Sequence, residues 1–268
     1  MPEGDTIHRA ARRLRESIEG RPIARVEIRR DPHGLRPPAP GSTVTGVEAR
    51  GKHLLVHFDD GATLHTHMQM HGAWHVYRPG ARWRRGPHRA RAVIELDDGT
   101  SAVCFDAPVV ELRRGARATR PPTGASRSLD RLGPDLCERD VDLDTVLARL
   151  ARLPAGTPIG DALLDQRVAA GIGNVFKSEI CWARGIHPST PVGALDDATR
   201  RAVYETAHTQ LHANAGATRR VTYAGGLAVY GRHGRPCPRC ATAIRRRWDG
   251  RDRRVTYWCP SCQPAAAT

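Results

Sequence analysis

Residues 237–262, CPRCATAIRRRWDGRDRRVTYWCPSC, decide the fold of the C-terminal part of the chain. They contain two Cys-x-x-Cys pairs separated by 18 residues, a spacing typical of a four-thiolate zinc site. The segment between the pairs alternates arginines with aromatic residues around a turn signal at Asp249-Gly250, which predicts a β-hairpin. The sequence therefore predicts a zinc ribbon.

Four cysteines would fill every position around a tetrahedral zinc ion and leave no place for an activated water. We therefore predict one structural Zn²⁺ per chain and not a catalytic one. The predicted ligands are Cys237, Cys240, Cys259 and Cys262. The arginines of the hairpin have two interpretations: they could bind the phosphates of a nucleic-acid backbone, or they could form a solvated charged face.

The chain has 268 residues and a formal net charge of +14, with basic residues spread along its whole length. This charge indicates a polyanionic partner and favours nucleic acid over a membrane. No apolar run approaches the roughly 18 residues of a membrane-spanning helix, and the first residues do not have the pattern of a signal peptide. We expect a cytoplasmic bacterial protein associated with the nucleoid. Its other cysteines, Cys104, Cys137 and Cys181, are expected to be reduced thiols.

The middle of the chain has a helical pattern, and its sharpest feature is Ala169-Ala-Gly-Ile-Gly-Asn174. The glycines predict the end of one helix, and Asn174 is the predicted N-cap of the next. The exposed backbone N–H groups at such a helix start suit a phosphate group. The alternative is a tight helix–helix turn that binds nothing.

The N-terminal region begins with an amphipathic helix. Apolar residues recur at helical spacing over residues 7–18, with Asp5 or Thr6 as the predicted N-cap and Gly20 as the stop. A helix at this place would hold the start of the chain in a fixed position.

Two β-like runs that follow this helix, His53–Phe58 and Ala92–Leu96, each lead into Asp-Asp-Gly, which is a hairpin signal. The composition then changes at an arginine-, glycine- and proline-rich stretch that has the character of an interdomain linker. We predict a catalytic N-terminal domain at 1–120, a linker at 121–134, a helical domain at 135–222 and the zinc ribbon at 223–268.

The chain starts Met1-Pro2-Glu3, and removal of the methionine would leave a proline secondary amine beside a carboxylate. An α-amino group has a pKa of roughly 7.7 to 8.0, so about a tenth of it is neutral and nucleophilic at pH 7. Such an amine can attack a carbonyl carbon and form a Schiff base, while Glu3 transfers the protons that this chemistry moves. The alternative is an ordinary processed N-terminus.

Three stretches together resemble the formamidopyrimidine-DNA glycosylase and endonuclease VIII family: MPEG at the start, LLDQRVAAGIGN at 163–174 and RVTYWCPSCQ at 254–263. The likeness covers nearly the whole chain. It implies an α+β fold with a leading α-helix, an N-terminal β-sandwich domain, a helix-two-turns-helix DNA-binding domain and a C-terminal β-hairpin zinc ribbon. It also implies a bifunctional DNA glycosylase and DNA-(apurinic or apyrimidinic site) lyase of base-excision repair, which releases an oxidised base and cleaves the strand by β,δ-elimination.

The resemblance also implies roles for single residues. Pro2 corresponds to the nucleophile that attacks C1′ of the damaged nucleotide, and Glu3 to the acid that protonates the sugar ring oxygen. Lys52 corresponds to a lysine that contacts phosphate and assists catalysis. The family's contacts to the DNA backbone correspond here to His67, Asn174 and Arg254.

An enzyme that acts at C1′ must extrude the nucleotide from the duplex, at a cost of a few kcal/mol, and the gap left behind must be filled. The loop Gln69-Met70-His71 is a suitable wedge. Gln69 offers an amide to unpaired base edges, and Met70 offers a flexible apolar side chain that can insert into the stack. The alternative for Met70 is ordinary core packing.

The start PEG and the segment HMQMHG at 67–72 favour the endonuclease VIII-like branch, which resembles a remover of oxidised pyrimidines. Asp5 and the pair Met70-His71 depart from the pattern of that branch, which leaves the lesion range open. One alternative is an oxidised-purine glycosylase of the same family.

A second alternative is a non-catalytic zinc-ribbon DNA-binding protein, which would not need Pro2 and Glu3. A zinc-ribbon RNA-binding factor is disfavoured, because the sequence carries neither an RNA-recognition aromatic motif nor an RGG tract. The expected partner is damaged DNA, duplex or single-stranded, and no membrane is expected. A monomer is expected to enclose one flipped nucleotide.

Overall fold

The structure, a computed structural model, describes residues 2–29, 34–114, 129–249 and 254–265. The chain divides into two compact units, Met1–Arg131 and Leu132–Thr268. We call them the N-terminal unit and the C-terminal unit. Residues 121–128 of the predicted linker and Gly250 of the predicted hairpin turn lie outside the described residues. The predicted domain limits therefore stay predictions.

The N-terminal unit begins with helix α1, Gly4–Ile18, as the apolar periodicity predicts. The helix starts earlier than expected, because Glu3 is the N-cap residue and Asp5 is buried in the first turn. The prediction of Asp5 or Thr6 as N-cap was therefore wrong. The helix ends as predicted, since Gly20 follows in a left-handed conformation with φ of 74°.

Eight strands follow and form an antiparallel β-sandwich. The sheets have the strand orders β1-β6-β7-β5 and β2-β3-β4-β8. The strand bounds are β1 Ile23–Ile28, β2 Val44–Arg50, β3 His53–Phe58, β4 Ala62–His67, β5 Ala73–Tyr77, β6 Ala90–Leu96, β7 Ser101–Phe105 and β8 Val109–Arg114. Side chains of both sheets and of α1 share one apolar core, which includes Ile7, Leu14, Val56 and Ile94.

Both predicted hairpin signals are confirmed. The run His53–Phe58 is β3, and the run Ala92–Leu96 lies in β6. The glycines of the two Asp-Asp-Gly turns, Gly61 and Gly99, have φ of 78° and 79°, a region that glycine adopts without strain. These turns fix the register of β3 with β4 and of β6 with β7.

The C-terminal unit is mainly helical up to Ala215, and an irregular segment leads from there to the hairpin. Its elements are α2 Leu143–Leu150, α3 Ile159–Leu164, α4 Asn174–Arg184, α5 Asp197–Ala215, β9 Arg245–Asp249 and β10 Arg254–Trp258. Phe176, Ile180 and Tyr204 pack in its helical core. Among the described residues, no helix of the chain is both long enough and apolar enough to span a membrane.

Candidate functional site

Pro2 lies in the wall of a cavity of about 350 Å³ in the N-terminal unit. It is only partly buried, so its ring faces accessible space. The remaining residues of this wall are Thr6, Met70, His71, Gly72, Arg85 and Arg89. Two predicted site segments, the start of the chain and the loop Gln69–His71, are therefore brought together here.

Glu3 is fully buried next to Pro2. Its backbone carbonyl accepts hydrogen bonds from the N–H groups of Thr6 at 2.9 Å and Ile7 at 3.1 Å, which starts α1. The first turn of the helix therefore fixes the backbone beside Pro2. A buried carboxyl group near a nucleophile can hold or release a proton in a place that excludes bulk water.

The loop Gln69–His71 is a tight, exposed connection between β4 and β5. Gly72 donates its N–H to the carbonyl of Met68 at 2.8 Å, and a Cβ on Gly72 would lie 2.6 Å from the Met68 backbone. Gln69 adopts a left-handed φ of 45°. Met68 is buried, whereas Met70 is 56% exposed. Met70 is therefore not a core residue, and its position is compatible with the predicted wedge.

Lys52 and His67 lie at one end of the sheet that contains β3 and β4. Lys52 is in the turn between β2 and β3, and His67 ends β4 opposite His53. The rings of His53 and His67 have centroids 4.7 Å apart. Burial lowers the pKa of His67, and the nearby His65 and Lys52 lower it further, so the two predicted DNA contacts lie near each other.

A buried histidine network lies behind His67. His65 shares a hydrogen bond of 2.9 Å with His53, and its Nδ1 lies 3.1 Å from Arg113, which also donates to Glu111 at 2.7 Å. Because a guanidinium can only donate, Nδ1 of His65 accepts and its Nε2–H donates to Nδ1 of His53. Burial lowers the pKa of His53 to about 2 and that of His67 to about 4, so both rings are neutral at pH 7.

Sequence reasoning missed His53, His65, Glu111 and Arg113. The sequence did contain one indication of this network. His65 and His67 occupy alternate positions of β4, and polar residues in this pattern are unusual among the apolar residues of a sandwich strand. The partners from β3 and β8 could not be assigned, since their register depends on long-range pairing.

In the C-terminal unit, Gln166 holds the connection between α3 and α4. Its amide donates to the carbonyls of Leu164 at 2.8 Å and Ile172 at 3.0 Å, and its oxygen accepts from Gly171 N–H at 3.1 Å. Gly171 has a φ of 103°, which only glycine adopts readily. The Ala-Gly-Ile-Gly segment is thus a fixed turn whose geometry depends on one side chain.

Asn174 is the first residue of α4, and its N-cap residue is Gly173. The prediction that Asn174 caps the helix was wrong, because its amide instead donates to the carbonyl of Val255 at 2.6 Å. Arg254, the neighbour of Val255, starts β10 and is exposed. The structure thus brings together two predicted DNA contacts, Asn174 and Arg254, from segments about eighty residues apart in the sequence.

Two further buried polar residues of α4 stabilise this junction. Nζ of Lys177 donates to Oγ1 of Thr256 at 2.6 Å, which ties α4 to β10. The carboxylate of Glu179 accepts the backbone N–H groups of Ala228, Val229 and Tyr230 at 2.8, 2.9 and 2.7 Å. Sequence reasoning did not single out either residue. Two charged residues on the buried face of one helix are nevertheless unusual and indicate specific polar partners.

The four predicted cysteine ligands lie together, with all Sγ atoms within 4.8 Å of one another. The Sγ distances are 3.9 Å for Cys237–Cys262 and 3.4 Å for both Cys240–Cys259 and Cys240–Cys262. A tetrahedral zinc ion with bonds of about 2.3 Å requires sulfur atoms about 3.8 Å apart, so the cluster fits this ion. The N–H groups of Trp182 and Arg239 point at Sγ of Cys237, at 3.3 and 3.4 Å, and would stabilise a thiolate.

Comparisons with known proteins cover both units. The formamidopyrimidine-DNA glycosylase N-terminal domain matches residues 1–108, and the H2TH domain of the same glycosylase matches residues 132–220. A Streptomyces coelicolor protein named probable endonuclease 8 2 is 42% identical, over 100% of this chain and 95% of the relative. A Mycolicibacterium smegmatis protein named DNA-(apurinic or apyrimidinic site) lyase Nei2 is 38% identical, over 99% of this chain and 100% of the relative.

Solved structures give the same fold. The MutM (Fpg) protein of Thermus thermophilus is 28% identical, with a TM-score of 0.78, over 99% of this chain and 100% of that chain. A Lactococcus lactis formamidopyrimidine-DNA glycosylase bound to DNA with an abasic site has a TM-score of 0.79 at 22% identity, over 98% of this chain and 100% of that chain.

Proposed function

The chain belongs to the formamidopyrimidine-DNA glycosylase family, and from this premise we propose that it is a bifunctional DNA glycosylase and abasic-site lyase of base-excision repair. It removes an oxidised base from DNA and then cleaves the strand at the abasic site. The observation that carries this proposal is the position of Pro2, in the wall of a cavity whose other side is the exposed loop Gln69–His71.

The chemistry of this cavity follows from a secondary amine at Pro2, which requires removal of Met1. The amine attacks C1′ of the flipped nucleotide, the bond to the base breaks, and Glu3 supplies the proton that opens the sugar at its ring oxygen. The resulting Schiff base withdraws electrons and acidifies the proton at C2′. Loss of that proton expels the 3′ phosphate, and a second elimination expels the 5′ phosphate, so that Pro2 is regenerated after hydrolysis.

The other residues of the N-terminal unit hold the DNA for this reaction. Lys52 and His67 are neighbours at one sheet end, and each contacts a phosphate beside the lesion. His67 donates as a neutral imidazole, because burial keeps its pKa at about 4. Gln69 and Met70 fill the gap that the flipped nucleotide leaves, for which their exposure on a tight loop is suitable.

The C-terminal unit supplies a backbone clamp. Asn174 and Arg254 lie on joined segments, and their side chains bind phosphates around the flipped nucleotide. The thiolates Cys237, Cys240, Cys259 and Cys262 hold one structural zinc ion, which keeps the hairpin of β9 and β10 folded. The net charge of +14 supplies the long-range attraction to DNA.

Oxidised pyrimidines are the preferred substrates in this proposal. Relatives named endonuclease 8 2 or Nei2 are 38 to 42% identical, a Chloroflexus aggregans protein named formamidopyrimidine-DNA glycosylase is 34% identical, and an Escherichia coli protein named endonuclease 8 is 31% identical. The loop sequence HMQMHG supports the same branch. We also propose that the protein acts as a monomer on chromosomal DNA in the bacterial cytoplasm.

Borohydride trapping tests the function directly. Wild-type protein is incubated with duplexes that carry thymine glycol, 5,6-dihydrouracil, 8-oxoguanine or an abasic site, and the covalent adduct is quantified. We expect a covalent adduct with every substrate that the protein processes. Among the three base lesions, thymine glycol and 5,6-dihydrouracil should give the highest adduct yield. An adduct that forms equally with an N-terminally extended Pro2→Gly variant would reject Pro2 and point to a lysine such as Lys52.

A further inference from the structure

The loop between β5 and β6, residues 78–89, contains five arginines and no acidic residue. We call it the arginine loop. Two of its arginines, Arg85 and Arg89, line the cavity that contains Pro2. The proposed function assigns no role to either residue, and sequence analysis did not single out this loop.

Asp106, which directly follows β7, fixes both arginines. Its carboxylate accepts from Arg85 at 2.5 Å and from Nε and Nη2 of Arg89 at 2.8 Å each. The backbone N–H of Asp106 also donates to the carbonyl of Arg89 at 3.0 Å. Asp106 adopts a left-handed φ of 53°, so the chain turns sharply at the point where it meets the loop.

Arg85 connects this ion cluster to the wedge. Its Nη1 donates to the backbone carbonyl of His71 at 2.9 Å while it also donates to Asp106. One guanidinium thus bridges the loop Gln69–His71 and the end of β7. Both hydrogen bonds come from the same nitrogen, Nη1, so this one group ties the wedge loop to the turn after β7.

Arg89 is more exposed than Arg85. Its side chain is 47% accessible, compared with 28% for Arg85. The cluster contains two positive charges and one negative charge, and the lining of the cavity includes no carboxylate. The cavity wall at Arg85 and Arg89 therefore carries a net positive charge, which suits a phosphodiester of the bound strand.

The arginine loop is anchored and not free to adapt. The indole of Trp83 stacks on Tyr77 with ring centroids 6.2 Å apart and meets the edge of Phe105 at 5.7 Å. The backbone N–H of Arg84 donates to the hydroxyl of Tyr77 at 3.0 Å. A loop that is held in this way can present a charge without a large cost in conformational entropy.

We propose that Arg85 and Arg89, fixed by Asp106, are an additional DNA-binding element of the N-terminal unit. Arg89 binds a phosphate of the damaged DNA beside Pro2, and Arg85 is a positioning residue that holds the wedge loop in its inserted orientation. The inference rests on the proposed function, since it requires DNA in the cavity.

The test compares Arg89→Gln, Arg85→Gln and a control, Arg78→Gln, which removes the same charge from an exposed position of the same loop outside the cavity. Wild-type protein is first tested for borohydride trapping. Equilibrium binding to a duplex with a reduced abasic site is then measured at several salt concentrations. For Arg89→Gln we expect roughly tenfold weaker binding and a slope of log affinity against log salt that is smaller by about 0.9.

Wedge insertion is measured with 2-aminopurine placed opposite the lesion, whose fluorescence rises when the neighbouring stack is opened. Arg85→Gln is expected to lower this signal and to slow single-turnover cleavage about tenfold at saturating protein. Arg85→Lys retains the charge and one nitrogen that can donate to both acceptors, and it is expected to recover part of the fluorescence signal. Thermal unfolding of each variant shows whether it is folded.

The outcomes separate the inference from the function on which it rests. If wild-type protein traps the lesion and both cavity variants behave like Arg78→Gln, the arginine element is rejected while the glycosylase function stands. If Arg85→Gln leaves the fluorescence signal at the wild-type level, the positioning role is rejected. If wild-type protein forms no adduct with any lesion, the proposed function fails, whatever the salt slopes of the variants are.

Discussion

The cavity at Pro2 and the junction between α4 and the hairpin are built in opposite ways. The cavity is open and is lined by exposed or half-exposed groups, including Met70 and Arg89. The junction is closed, because Lys177 and Glu179 are buried and each has defined partners. The difference indicates that the cavity provides chemistry and groups accessible to DNA, whereas the junction provides structural support. A change in the cavity should alter turnover or DNA affinity without a loss of stability, and a change in the junction should alter stability and DNA affinity together.

The largest effect is expected from a blocked Pro2. A short N-terminal extension converts its nitrogen into an amide, which cannot form a Schiff base, so strand cleavage should fall by at least about a thousandfold. DNA affinity should change by less than about twofold, because the phosphate contacts remain. Single-turnover cleavage and fluorescence anisotropy measure the two quantities. Mass spectrometry of the active wild-type protein must show that Met1 is absent, and a retained methionine would contradict this mechanism.

The next effect is expected from the cysteine cluster. Cys259→Ser removes one of four ligands and should unfold the hairpin, which weakens DNA binding by roughly a hundredfold and releases zinc. Bound zinc and the dissociation constant are measured together. The control is Cys181→Ala, which changes a buried cysteine of the same unit that belongs to no group of possible metal ligands. Tight binding by a zinc-free Cys259→Ser protein would show that the hairpin does not need the metal for its role.

Much of the fold could be predicted, because its signals are local. The periodicity of α1, the turns after β3 and β6, and the spacing of the cysteines each depend on a few neighbouring residues. The family resemblance supplied the β-sandwich and the roles of Pro2 and Asn174. These roles could not have been derived from residue spacing alone.

The rest depends on long-range pairing. Arg85 and Asp106 meet only because β5, β6 and β7 are neighbours in one sheet, and His65 meets Arg113 only through the register of β4 with β8. The cap prediction for Asn174 failed for the same reason, since a tertiary hydrogen bond to Val255 outweighs the local preference for capping. Local rules thus describe the elements, while the site is completed by residues that the sheets bring together.

The buried histidines predict a loss of stability in acid. The pKa of His67 is about 4 in the folded protein, because burial disfavours its charged form, and an unfolded histidine titrates near 6.5. The folded state is therefore favoured above pH 6.5, and this contribution is lost as the pH falls from about 6.5 to about 4. The full shift corresponds to about 3 kcal/mol.

Urea unfolding at pH 7 and pH 5 measures this effect. His67→Gln should reduce the difference between the two pH values, whereas His88→Gln, which removes an exposed histidine of the same unit, should retain the wild-type difference. An equal acid sensitivity in both variants would show that His67 is not responsible. The acid sensitivity would then have to come from other groups, such as the buried His53, whose pKa burial also lowers.

The smallest of these effects concerns Glu179. Glu179→Gln keeps the shape of the side chain but replaces one acceptor oxygen with an NH₂ group, which cannot accept. Either the bond from Ala228 to Oε2 or the two bonds from Val229 and Tyr230 to Oε1 are then lost. We expect the free energy of unfolding to fall by roughly 1–3 kcal/mol. The control, Glu205→Gln on the exposed face of α5, should change it by less than about 0.5 kcal/mol. Urea unfolding measures both values.

The same variant decides whether the junction acts through rigidity. If its hydrogen bonds hold the backbone clamp in place, Glu179→Gln should weaken DNA binding several-fold, although Glu179 is buried and cannot itself contact DNA. Cleavage at saturating protein should stay close to the wild-type rate, because the cavity at Pro2 is unchanged. A loss of stability with unchanged DNA affinity would mean that Asn174 and Arg254 hold their positions without this support. The closed junction would then differ from the open cavity only in its contribution to folding.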